Sequence, residues 1–168
     1  NQPNEAVRVL AATAARMTDE AQRLEVEMER VLFGSMLGRY ADVLETAEGI
    51  LQHPGCDVEA RWTACTNAAW AEVHLIDLRH VHDHLDTAFA LMDSSAIDRA
   101  SEIDLVRALR INVLVEEGRL DEALADDQFI QQNKAPNGLT QFAASQAAWM
   151  TGDIVRARRL LDGAIEQL

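Results

Sequence analysis

The feature that most constrains this chain is a short segment that recurs four times. Gly38-Arg39-Tyr40-Ala41-Asp42-Val43-Leu44, Arg79-His80-Val81-His82-Asp83-His84-Leu85, Gly118-Arg119-Leu120-Asp121-Glu122-Ala123-Leu124 and Gly152-Asp153-Ile154-Val155-Arg156-Ala157-Arg158 begin 41, 39 and 34 residues apart. Periods of this size mark stacked helical hairpins. In three copies a glycine closes one helix with a left-handed residue; in the second, Arg79 stands in the glycine's place. A second helix then presents an apolar and a small residue to its partner.

The helices after the turns carry one apolar stripe each, as an outer layer requires. Tyr40, Val43, Leu44, Ala47, Ile50 and Leu51 form one; Val81, Leu85, Ala88, Phe89 and Met92 another; Ile154, Ala157, Leu160, Leu161, Ala164, Ile165 and Leu168 a third. The preceding helices are apolar on more than one side, through Trp62, Ala64, Ala68, Ala69, Trp70 and Val73, or Leu105, Val106, Leu109, Ile111, Val113 and Leu114. They belong to an inner layer. Pro54 and Pro136 each end a hairpin, with Ser94-Ser95 between them. Nine helices are predicted, over about 4–16, 19–36, 39–52, 57–77, 80–93, 96–116, 119–133, 138–150 and 153–167, with Thr18 capping the second, helped by Asp19 and Glu20. The fold class is all-α: a right-handed superhelix of about four and a half hairpins in one domain, residues 1–168.

Composition agrees. Alanine, the best helix former, supplies 27 residues, and only 8 Gly and 3 Pro interrupt the chain. The 168 residues make about one domain with a real core. Arginine exceeds lysine 14 to 1, a skew that points to a GC-rich bacterial genome. The net charge of −13 argues against direct nucleic-acid contact and against docking on an anionic membrane. No apolar run reaches the length of a membrane span. Cys56 and Cys65 lack metal or redox spacing and read as thiols of a cytoplasmic protein. The opening Asn1-Gln2-Pro3-Asn4-Glu5 has neither an initiator Met nor a secretory signal pattern, as expected of a piece of a longer protein.

The Gly-x-[Leu/Tyr/Ile]-x-x-[Ala/Val] turn is similar to the inter-helix turn of tetratricopeptide repeats, and Gly118 to Gly152 has that family's period of 34. The run Ala108-Leu109-Arg110 through Leu114-Val115-Glu116-Glu117-Gly118-Arg119-Leu120-Asp121-Glu122-Ala123-Leu124 resembles the sensor solenoid of maltose-activator-like, LuxR-type bacterial transcription regulators. Those carry an ATPase, then the solenoid, then a helix-turn-helix. The chain departs from the family turn at His84, where a small residue is expected. The resemblance implies a non-enzymatic module that binds a protein, peptide or small molecule in a concave groove. The alternative is a free-standing tetratricopeptide-type adaptor or chaperone-like peptide binder. Laying the family's frame on this chain puts Glu25, Met28, Glu29, Leu32 and Met36 in the groove. It adds Trp70, Val73 and Asp77, then Asn112, Val115 and Glu116, then Gln146, Trp149 and Met150. Trp70 and Trp149 are the anchors, Asn112 and Gln146 the orienting amides, and Glu29 and Glu116 part of an acidic rim.

Other constellations are weaker. His80 and His84, one turn apart with Asp77 before them, could hold zinc, but no His-Glu-x-x-His motif supports them. Solvated histidines explain them more simply, and no cofactor is expected. There is no Gly-rich phosphate loop and no Gly-x-Ser-x-Gly elbow. Glu25, Glu27, Glu29, Asp19 and Glu20 read as a solvated face. Arg156, Arg158 and Arg159 fit a helix-end dipole or a neighbouring domain. The apolar end of the last helix predicts self-association through the repeat ends.

Overall fold

The computed structural model describes residues 2–93, 100–132 and 137–167. It is all-helical: α1 Gln2–Ala14, α2 Glu20–Met36, α3 Tyr40–Gln52, α4 Val58–Leu75, α5 Val81–Asp93, α6 Ala100–Glu116, α7 Leu120–Gln131, α8 Gly138–Met150 and α9 Ile154–Ile165. Among the described residues no helix is long and apolar enough to cross a membrane. Ser94-Ser95 and Pro136 lie outside the described residues. The chain divides into two compact units, Asn1–Ile97 and Asp98–Leu168.

Side-chain caps start the helices. Asp19 accepts from the amides of Ala21 and Gln22 at 3.0 and 3.1 Å, so the cap of α2 is Asp19 and not Thr18. The carboxylate reaches the first-turn amides and adds its charge to the helix dipole there. Asp57, Asn137 and Asp153 cap α4, α8 and α9 in the same way.

The ends share one chemistry. Gly38, Gly118 and Gly152 take φ of 70°, 74° and 84°. In each case the next residue's amide reaches back five positions: Arg39 to Gly34, Arg119 to Leu114, Asp153 to Ala148. That is the Schellman closure. The second turn does this at Ile76, φ 57°, with Asp77 bonding back to Glu72. Arg79 therefore does not stand in for the turn glycine. Ile76 does, and three extra residues precede α5.

In the first unit α2 packs on α1, α3 and α4, and α4 on α5. Ala60, Ala64, Ala68 and Ala71 of α4 sit with Val31 of α2 and Val43, Ala47 and Ile50 of α3. In the second unit α8 likewise rests on both α6 and α7 and pairs with α9. Ala143 and Ala147 meet Ala108, Ile111, Leu114, Val115 and Ala123. Small residues let α4 and α8 each settle close into the groove of the hairpin before it. This is a helical-repeat pattern within each unit.

Candidate binding site

The second unit holds a cleft of about 560 Å³ on the face of the α8/α9 hairpin. Helix α8 spends its small residues inward: Ala143, Ala144, Ala147 and Ala148 are buried. Its large ones face the cleft, namely Phe142, Gln146, Trp149 and Met150, with Ser145 beneath them. The Ser145 hydroxyl is satisfied at the Phe142 carbonyl, 2.6 Å away. From α9 come Ile154, Ala157, Arg158 and Leu161, and from the end of α6 Val115 and Glu116. Trp149 is 61% exposed, and Phe142, Met150, Ile154 and Leu161 are exposed beside it. A tryptophan left this open forgoes several times the stabilisation of a buried methylene, roughly 0.8 kcal/mol each. Packing among the described residues of its unit does not explain its position.

Gln146, Trp149 and Glu116, all predicted groove residues, meet in this cleft together with Val115 and Met150. Asn112 does not line it. Its side chain is half-buried, and its Oδ1 is buried with no hydrogen-bond partner among the described residues.

The first unit treats its predicted residues differently. Trp70 is half-buried and tilted against His74, centroids 4.6 Å apart, and His74 stacks on Tyr40 at 4.2 Å. The Trp70 ring is thus engaged within the unit. Met28 packs against the α2/α3/α4 core. Glu25, Glu29, Leu32 and Met36 are exposed on α2, and Val73 is half-buried. Asp77 is clamped by Arg79 at 2.7 and 2.5 Å, which holds its carboxyl down at about 2. Much of the acidic stretch is spoken for locally: Asp19 caps, Glu20 pairs with Arg23 and His53, and Glu27 with Arg30.

His80 and His84 do not form a pair. His80 is exposed, its Nδ1 3.9 Å from Asp83. His84 Nδ1 lies 2.9 Å from Glu72 Oε2, and Glu72 is 2% exposed. Where a small residue was expected, an α5 histidine instead meets a buried α4 carboxylate. Among the described residues no group of three or more His, Cys, Asp or Glu is placed to hold a metal. Burial pushes the Cys65 thiol up to about 11, and burial also raises Cys56, partly offset by Arg61. Both are thiols rather than thiolates near neutral pH.

The sequence patterns did not reveal a buried ionic layer in the second unit. Asp126 accepts from Arg107 at 3.0 Å and from Arg110 at 2.5 and 2.6 Å. Arg107 also covers the Phe129 ring at 3.7 Å. Asp127, 0% exposed, pairs with Arg156. Arg156 therefore serves the fold of its own unit rather than a helix-end dipole or a neighbouring domain. The signal was present: two adjacent acids fall on the inward stripe of α7, and Arg107 and Arg110 share a face of α6 at i, i+3.

No family model, curated protein or solved structure matches the chain.

Proposed function

We propose that this chain is a non-enzymatic helical-repeat binding module whose contact surface is the α8/α9 cleft. It would stack as a right-handed superhelix of about four and a half hairpins. It would serve as the sensor or scaffold segment of a bacterial transcription regulator. One observation carries the reading: Trp149 stands open over an apolar cleft with Gln146, Glu116 and Arg158 as its polar groups. A few polar groups around apolar walls suit recognition of a protein or ligand surface. Aromatic anchors of this kind usually dominate binding energy. The regulator assignment rests on the sequence resemblance. On it, an ATPase and a helix-turn-helix flank the segment in its coding sequence; a coding sequence holding neither favours the free-standing adaptor.

Two substitutions test the cleft. Leu109 is 1% exposed, so Leu109→Ala opens a cavity and costs about 2–5 kcal/mol. Trp149→Ala should leave the melting temperature near wild type while removing most of the fluorescence of a hydrophobic dye such as anilinonaphthalene sulfonate bound to dilute protein. If Trp149→Ala is as destabilising as Leu109→Ala, Trp149 belongs to the core. If it is stable and dye binding is unchanged, the binding surface lies elsewhere.

A further inference from the structure

We propose that the α8/α9 cleft is a two-fold interface between two copies of this chain. The inference rests on the cleft being the binding surface and names its occupant.

The argument begins with charge. At −13 overall, two copies repel over most of their surface. The cleft escapes that excess: its charged lining consists of one acid, Glu116, and one base, Arg158. Helix α9 itself offers Arg158 and Arg159 against Asp162, its Arg156 being held by Asp127 within the unit. A second copy meets no net repulsion from the charges that line this cleft.

The pairing is also self-complementary. In a two-fold interface, if residue i of one copy meets residue j of the other, then j meets i. An axis lying in the plane of the interface, crossing the Glu116–Arg158 line at its midpoint and at right angles to it, sets each Glu116 on the partner's Arg158, twice over. Both groups are available. Glu116 is exposed, and among the described residues Arg158 makes a single long contact, 3.9 Å to Asp162, both side chains being well exposed.

Area is the last observation. Phe142, Trp149, Met150, Ile154 and Leu161 are each exposed by two-fifths or more. Together they present on the order of 500 Å² of apolar surface, toward the upper end of what a monomer leaves bare. With Gln146, Glu116 and Arg158 around them the face approaches the roughly 800 Å² per partner of a standard interface. A lone helix from another protein would also fill a groove, but it would have to bring its own base and acid to Glu116 and Arg158, which a second copy already carries.

The test is sedimentation equilibrium on the full chain across a hundredfold range of concentration. The wild type should move from 18.6 kDa toward twice that mass. Glu116→Arg and Arg158→Glu should each weaken dimerisation by about tenfold or more, since each sets like charges face to face. The double variant should recover wild-type affinity. Trp149→Ala should be monomeric with an unchanged helical circular dichroism spectrum. Dye binding should fall as the wild type dimerises. A wild type that stays at 18.6 kDa throughout overturns the proposal, and so does a folded double variant that fails to recover. Should the monomeric chain still bind dye through Trp149, the cleft remains the binding surface and its occupant is a different protein or ligand.

Discussion

Helices α3 and α7 occupy the same place in their hairpins, each starting two residues after a left-handed glycine. Yet they bury different chemistry. Seven residues after Tyr40 comes Ala47; seven after Leu120 comes Asp127. Both are 0% exposed. Ala47 sits among Val31, Val43, Ala64 and Ala68, whereas Asp127 meets Arg156. One hairpin closes by apolar contact and the other by a buried ion pair at the same register position. A buried ion pair is weak evidence for stability, because desolvation offsets most of the attraction. The position tolerates either solution only with the matching neighbours, and that mismatch makes the comparison testable.

The largest effect should come from importing the charge into the first unit. Ala47→Asp buries a carboxylate among apolar side chains and should cost about 4 kcal/mol or more, enough to unfold a marginal unit. The reverse change, Asp127→Ala, should cost only about 1–2 kcal/mol, because Ala fits this position at 47 and 88 and Arg156 is partly exposed. Urea midpoints of the two variants give the answer. Equal midpoints would mean that burying a charge among apolar neighbours costs no more than removing one from its ion pair, and the comparison would fail.

The turns supply the next pair. Gly118 and Ile76 share a left-handed conformation with different residues. A β-branched side chain there is strained by roughly 1–3 kcal/mol. Gly118→Val should therefore destabilise by about that amount, whereas Gly55→Val, in a turn without a positive φ, should matter much less. Thermal melts that show equal losses would contradict the turn geometry.

The smallest effect runs the other way. Ile76 is 88% exposed, so replacing it removes strain and little packing. Ile76→Gly should stabilise by about 1 kcal/mol, read as a melting temperature raised by a few degrees. A fall would mean that Ile76 is held by contacts beyond its own turn.

These pairs also show what the sequence could and could not reveal. The helices were legible because turn glycines, caps and apolar stripes act locally. Trp149 and Gln146 line one cleft because their i, i+3 spacing puts them on one face of α8, which the sequence alone shows. Three things were hidden. Ile76 carries no mark of a left-handed residue, so the second turn was set three residues too late, at Arg79. Asp126 and Asp127 fall on the inward stripe of α7, but their partners Arg107, Arg110 and Arg156 are brought beside them from 16 to 29 residues away, beyond any local pattern. Trp70 has the spacing of an anchor, but its fate depended on His74 and Tyr40 stacking beside it.

The order of contacts has a further consequence, in time rather than in energy. Among the described residues of each unit, every helix packs on the next or the next but one. No contact there waits for the closing of a long loop. The entropy of bringing ends together is therefore small at every step, and helical proteins with such local contacts fold in microseconds to milliseconds. Stacks built on neighbour contacts can also begin folding at more than one place and spread from there. A stopped-flow experiment on this chain should find its main folding phase complete within the dead time or soon after.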